Sequence, residues 1–240
     1  MERVKVLIID DSMLICQVIT DILSDDPAFE VVGAAHDPYE AREMIKVLKP
    51  DVLTLDIEMP RMDGITFLRN LMRLHPLPVI MLSTFTAQGA DETLQALSLG
   101  AVDYMQKPLL GPQGIAAADF SAELKEKLIA AASLKRKIAI SLRPTKYKES
   151  TSILERLNLN SVQGQRVIAI GASTGGTEAL QDVLSVLPVD IPPIVIAQHI
   201  SASFSSRLAS RINRKSVISV VEAKDGQRLE NGVAYLAPGG

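Results

Sequence analysis

The chain has 240 residues, 25 Lys+Arg against 28 Asp+Glu, a net charge of −3 and 47% hydrophobic residues. That balance is ordinary for a globular α/β protein and excludes a general nucleic-acid binder. A single cysteine, Cys16, excludes an intrachain disulfide, and no apolar run is long enough to span a bilayer, so the sequence reads as a cytoplasmic protein without membrane insertion.

Val4 to Ile9 reads as a strand with Asp10 and Asp11 at its carboxyl end, followed by a helix from about Ser12. On that helix Cys16 shares a face with Ile19 and Leu23 and reads as inert core packing. Glu30 to Ala34 is a second strand. Asp37, Pro38 and Glu40 give the next helix an N-cap, a first-turn proline and an acid. Asp51 to Leu55 is a third strand ending at Asp56, and the loop Ile57 to Gly64 leads into a third helix. Val79 to Leu82 runs to Ser83. A helix over Asp91 to Leu99 stops at Gly100, and Val102 to Met105 precedes Gln106-Lys107-Pro108. Strand alternates with helix, which predicts a five-stranded, doubly wound parallel sheet.

Ligands of such sheets sit beyond the carboxyl ends of the strands. Asp10, Asp11, Asp56, Ser83 and Lys107 fall there. Three carboxylates in one place repel unless a cation joins them, and an all-oxygen set suits Mg²⁺. Lys107 offers a point charge, and Ser83 a hydroxyl, to a phosphoryl group.

The Asp10-Asp11 pair, Asp56, Met59-Pro60-x-Met62-Asp63-Gly64, Ser83 and Lys107-Pro108 make residues 1–128 resemble the response-regulator receiver domain. The resemblance implies phosphorylation of Asp56 by a histidine kinase, with Mg²⁺ held by Asp11, Asp56 and the Glu58 carbonyl and supported by Asp10. It makes Ser83 and Lys107 the readers of the phosphate and Tyr104 the aromatic that changes rotamer on activation. Ser83 stands where threonine is commoner, and the Lys107–Pro108 bond is expected to be cis.

Phe120, Leu124 and Leu128 are spaced for a last helix from about Ala117 to Ser133. Residues 129–164 then read as an interdomain linker, rich in basic residues around Lys135 and Arg143. From 165 onward a second α/β unit begins. Arg166 to Ile170 reads as a buried parallel strand, broken at Gly171, and a helical pattern starts near Thr177 with Leu180, Val183, Leu184 and Leu187 on one face. Gly171-Ala172-Ser173-Thr174-Gly175 matches the G-x-S-x-G elbow, which exposes a nucleophilic hydroxyl beside backbone N–H donors. Thr174, Gly175 and Gly176 form the turn, and the helix start offers N–H groups to an oxyanion. Ile194 to Ala197 is the next strand, with Gln198 and His199 past its end. Consecutive strands of a right-handed crossover commonly lie side by side, roughly 4.8 Å apart. Ser173 and His199 are then the nucleophile and base of acyl transfer. His36 and His75 read as loop residues, and Arg207, Arg211 and Arg214 as a solvated helix face. Val217 to Val221 and Val233 to Leu236 give two more strands.

Ile170 to Thr177, Gln198-His199, Glu222-Ala223-x-Asp225-Gly226 and Ala237-Pro238-Gly239 make 165–240 similar to the chemotaxis protein-glutamate methylesterases, the CheB family, in their N-terminal part. A receiver joined by a linker to this unit is that family's arrangement. The resemblance implies a phosphorylation-activated esterase and glutamine deamidase whose substrates are methyl-accepting chemoreceptors and whose phosphodonor is the chemotaxis histidine kinase. Ile200-Ser201-Ala202-Ser203 departs from the family's Met-Pro-Pro-Gly after the histidine. The family's third triad member, an aspartate in a Gly-Met-Gly-x-Asp-Gly stretch, has no match up to Gly240. The chain therefore reads as a Rossmann-like α/β esterase domain that is truncated, with weak or no hydrolysis as it stands. The alternatives are a non-enzymatic response regulator whose second domain binds a nucleotide or partner, and a fragment active only as a phosphoacceptor.

Overall fold

In the computed structural model, which describes residues 3–84, 87–108, 117–141 and 166–239, two parallel sheets stand side by side. The first comprises β1 (Val4–Ile9), β2 (Phe29–Ala35), β3 (Val52–Asp56), β4 (Val79–Ser83) and β5 (Asp103–Gln106), in the order β2-β1-β3-β4-β5. The order reverses between β1 and β3, which opens a crevice beyond their carboxyl ends. Asp10 directly follows β1 and Asp56 closes β3.

Strand periodicity sorts the core into two layers. Val6 and Ile8 pack with Ile15, Ile19 and Leu23 of α1 (Met13–Ser24) and with Phe120, Leu124 and Leu128 of α5 (Ala117–Ser141). Leu7 and Ile9 point the other way, towards α2 (Pro38–Leu48), α3 (Gly64–Leu74) and α4 (Ala87–Ser98). Local chemistry starts these helices where the site needs them. The Asp37 carboxylate accepts from the N–H groups of Tyr39 and Glu40 at 2.7 and 3.0 Å, and Asp63 accepts from Thr66 N–H at 2.7 Å. Gly64 lets α3 begin against β3, because a Cβ there would stand 1.9 Å from the Asp56 carbonyl oxygen.

Helix α5 runs eight residues beyond the expected Ser133, so the stretch expected as linker from 129 begins inside it; the remainder, 142–164, lies outside the described residues.

The second sheet comprises β6 (Ile168–Ala172), β7 (Ile194–Gln198), β8 (Ser219–Glu222) and β9 (Val233–Leu236), in the order β6-β7-β9-β8. Helices α6 (Gly176–Ser185) and α7 (Ala202–Asn213) cover it. The strand β6 is parallel as expected but not buried: it is an edge strand, and Ala169 and Gly171 are exposed. Only its other face meets apolar side chains, where Ile168, Ile170 and Ala172 pack on the core. No described helix is long and apolar enough to cross a membrane.

The two units share one apolar cluster. Leu94 and Leu97 of α4 and Tyr104 of β5 join Leu180, Phe204 and Leu208 of the second unit. Arg211, expected on a solvated face, is 8% exposed. Its guanidinium donates to the Leu94 carbonyl at 2.7 Å and to Glu178 Oε1 at 2.6 Å. Helical spacing places Arg211 with Arg207 and Arg214, but α4 covers that turn of α7, and the Leu94 carbonyl accepts from Arg211 as well as from Ser98 Oγ at 2.9 Å.

Candidate functional site

Two clusters of chemistry-bearing residues lie at the carboxyl edges of the two sheets. In the first, Asp10 is fully buried, Asp56 is buried and Asp11 is exposed. Carboxylate oxygens of the three lie within 4.8 Å of one another. Lys107 Nζ bridges Asp10 Oδ2 at 2.8 Å and Asp56 Oδ2 at 2.9 Å. Its backbone N–H donates to the Ser83 carbonyl at 2.9 Å, which registers the ammonium over the cluster.

The balance of charge decides what this cluster can hold. One ammonium meets three carboxylates, leaving a surplus of two negative charges. Each like pair at that separation repels by about 3–4 kcal/mol at an effective dielectric of about 20. Burial pushes the Asp56 carboxyl up to about 6, against the opposing pull of the Lys107 hydrogen bond. Burial alone would lower the Lys107 ammonium, but its two carboxylate partners outweigh it and hold it above its usual range. A divalent ion with hard oxygen ligands fits this donor set, one face of which, Asp11, is open to water.

Around the cluster, Glu58 N–H donates to Asp56 Oδ1 at 3.2 Å, and Thr84 Oγ1 donates to Glu58 Oε1 at 3.3 Å. Ser83 is buried at the end of β4, in register with Gln106 of β5. The described residues contain no cis peptide bond, so Lys107–Pro108 is trans, against the expected cis. Trans is the intrinsically favoured form of an X-Pro bond by about 0.5–1 kcal/mol, and Lys107 reaches both carboxylates without the cis turn.

The second cluster is built on neighbouring strands. Ala172 of β6 pairs with Gln198 of β7, and the ladder continues one step further with His199 N–H donating to the Ala172 carbonyl at 3.0 Å. Ser173 and His199 therefore leave adjacent strands at the same level, both exposed. Gly175, with φ 77°, turns the chain into α6, and Gly176 N–H closes the turn on the Ser173 carbonyl at 2.7 Å. That bond occupies the Gly176 N–H. Neither Thr174 nor Gly175 N–H donates to a backbone carbonyl among the described residues. No hydrogen bond joins the side chains of Ser173 and His199 among the described residues.

Three features of the site escape sequence reasoning. The Gln198 amide donates to the carbonyls of Ser173 and His199 at 3.1 and 3.3 Å, tying the two strand ends together. A Cβ on Gly176 would stand 2.3 Å from Gln198 Oε1, so this glycine admits the clamp. The Gln198-His199 pair in the sequence is the signal that could have found it. His36 Nδ1 lies 3.2 Å from the Asp10 carbonyl, a contact that spacing does not announce. Finally, one cleft of about 420 Å³ is lined by Ser83 and Tyr104 on one side and His199, Ser201 and Phe204 on the other. Tyr104 is buried; burial pushes its phenol up to about 12 despite a hydrogen bond with Ser201. It is the aromatic expected to change rotamer, and here it faces the second unit.

A five-stranded phosphoacceptor sheet packed on a serine-elbow α/β unit defines a regulated, two-domain protein of the response-regulator class. Residues 6–118 match the response regulator receiver domain, and residues 168–240 match CheB methylesterase. The chain is 49% identical over 239 residues to protein-glutamate methylesterase/protein-glutamine glutaminase 2 of Saccharophagus degradans, covering all of this chain and 68% of that protein. It is 51% identical over 245 residues to protein-glutamate methylesterase/protein-glutamine glutaminase 1 of Xanthomonas campestris pv. campestris, covering 99% of this chain and 66% of that protein. The chain belongs to the CheB family of protein-glutamate methylesterases, and it spans about two thirds of the length of these curated relatives.

Proposed function

We propose that this chain carries the receiver and the nucleophile-and-base half of a phosphorylation-activated esterase that removes methyl groups from glutamyl methyl esters of chemoreceptors. The observation that carries the reading is the shared level of Ser173 and His199, one step past the Ala172–Gln198 pair. The Ser173 oxygen attacks the ester carbonyl, and the His199 imidazole takes the hydroxyl proton. The carbonyl oxygen gathers negative charge against the N–H groups of Thr174 and Gly175. His199 then gives its proton to methanol as the C–O bond breaks. Water attacks the acyl-serine, returns a proton through His199, and leaves a receptor glutamate. Glutamine deamidation follows the same steps with ammonia as the leaving group.

Control enters through Asp56. Its carboxylate attacks the phosphorus of a phosphohistidine on the chemotaxis histidine kinase, and the P–N bond breaks. Asp10, Asp11 and Asp56, with the Glu58 carbonyl, would hold Mg²⁺, which supplies charge neutralisation for the incoming phosphoryl group. Lys107 and Ser83 then face the phosphate. The new group adds about −1.5 to −2 charges. Lys107, now held by two carboxylates, is drawn to it, and Ser83 opens towards it from the wall of the cleft that also contains His199. The Tyr104 contact is the bistable element that this change biases, and its release widens the cleft on the His199 side of the exposed serine elbow. The setting is the cytoplasm.

Methanol release from methylated receptor membranes tests the reading with protein expressed from the complete gene. Acetyl phosphate should speed release, and Ser173→Ala should abolish it. Release by Ser173→Ala at the wild-type rate would remove the serine from the chemistry.

A further inference from the structure

A groove on the receiver has no part in either cluster. It encloses about 940 Å³ between α2 and α3, on the receiver, and runs the length of both helices. Tyr39, Ile45, Met62, Phe67, Leu71 and Leu74 give it an apolar floor and walls. Tyr39 is 48% exposed and Leu74 72% exposed, so the walls present apolar side chains to solvent above a buried floor.

Its rim is cationic. Arg42, Lys46, Lys49 and Arg73 line it, and no carboxylate does. Glu43, just outside, serves two of them at once, accepting from Arg42 Nε at 3.1 Å and Lys46 Nζ at 2.9 Å. Lys49 and Arg73 form no ion pair among the described residues. This is a positive, apolar slot on a chain whose net charge is −3.

The geometry points to an acidic amphipathic helix of a partner protein as the occupant of this groove. Its apolar stripe would lie on Tyr39, Met62 and Leu74, over the buried floor of Phe67 and Leu71, and its carboxylates would meet Lys46, Lys49 and Arg73. Both walls are helices whose backbone groups are already paired, so an extended peptide would find no strand edge to extend. A helix satisfies its own backbone and needs only side-chain contacts. Each wall has 11 residues, about 16 Å, which matches a three-turn partner. A second copy docking the same face on itself would bring two cationic rims together, which opposes it. Tyr39 and Met62 lie at the end of the groove nearest the Asp56 loop, so an occupant would sense that loop directly.

Fluorescence anisotropy of the whole chain with a labelled 14-residue peptide tests this. One peptide places Leu at helical i, i+3, i+4 and i+7 positions with Glu elsewhere; a second replaces every Glu by Lys. The Glu peptide should bind, and Lys46→Glu with Arg73→Glu should weaken it at least tenfold at unchanged melting temperature. Leu74→Ser, at an exposed position, should weaken it too, and the Lys peptide should not bind. Equal affinity for both peptides, unchanged binding by the double variant, or no binding at all would overturn the assignment. So would concentration-dependent dimerisation lost in Leu74→Ser, or sedimentation with phosphatidylserine vesicles in place of peptide binding.

Discussion

The Tyr104 ring stacks on Phe204 of the second unit, centroids 4.5 Å apart and planes inclined by 28°. Tyr104 lies on β5 just before the Ser83–Gln106 register pair, and Phe204 follows His199 at the start of α7. This aromatic contact thus lies between Ser83 and His199, the proposed phosphate reader and general base. Phe204→Ala should cost the docked state about 3 kcal/mol of packing. Basal methanol release should rise, and the further gain from acetyl phosphate should shrink. The ratio of rates with and without acetyl phosphate measures it.

The same contact makes docking sensitive to alkali. Burial holds the Tyr104 phenol at about 12, above the ordinary 10. The neutral ring is favoured when docked, so the stabilisation is complete below pH 10 and is lost as pH rises towards 12. Every tenfold change in the phenol's acid constant is worth about 1.4 kcal/mol of docking. Small-angle scattering should show the two units separating in that window for the wild type, with Tyr104→Phe staying compact to higher pH.

Arg211 fixes the other side of the interface. Arg211→Ala removes one of the two donors to the Leu94 carbonyl and the cation paired with Glu178, a carboxylate about one third exposed. With one partner in partial contact with water, the loss is about 1–2 kcal/mol, between the exposed and the fully buried case. Calorimetry should show a lower melting temperature, with the first unit's transition separating from the second. Arg211→Lys should restore little, because one ammonium cannot reach two acceptors in a fixed fork.

Gly176→Ala tests the elbow without touching a reacting group. The new Cβ meets Gln198 Oε1 and Ala172 Cβ at 2.3 and 2.8 Å. Hydrolysis should fall at least tenfold while phosphoryl uptake at Asp56 is unchanged. Gln198→Ala should relieve the first clash but loosen the His199 carbonyl, so the double variant should not recover the wild-type rate.

Much of this is legible in the chain because the signals are local. Alternation of strand and helix, Pro38 after the Asp37 cap and Gly64 after Asp63 describe their own neighbourhoods. The carboxyl-end rule then gathers Asp10, Asp56 and Lys107 without knowledge of any long-range contact. What stays hidden depends on which surfaces meet. Arg211 looks like any helix-face arginine until α4 covers it, and Phe204 looks like ordinary core until Tyr104 lies on it. The exposure of β6 is hidden for the same reason: its apolar residues do not reveal that, among the described strands, only β7 pairs with it.

Labelling by a serine-directed fluorophosphonate is the most direct measurement of the central claim, that a serine and a histidine on adjacent strand ends form one reacting pair whose cleft the receiver borders. Mass spectrometry should place the label on Ser173, with the rate increased by acetyl phosphate and cut by His199→Ala. Label on another residue, or a rate indifferent to both His199→Ala and acetyl phosphate, would contradict it.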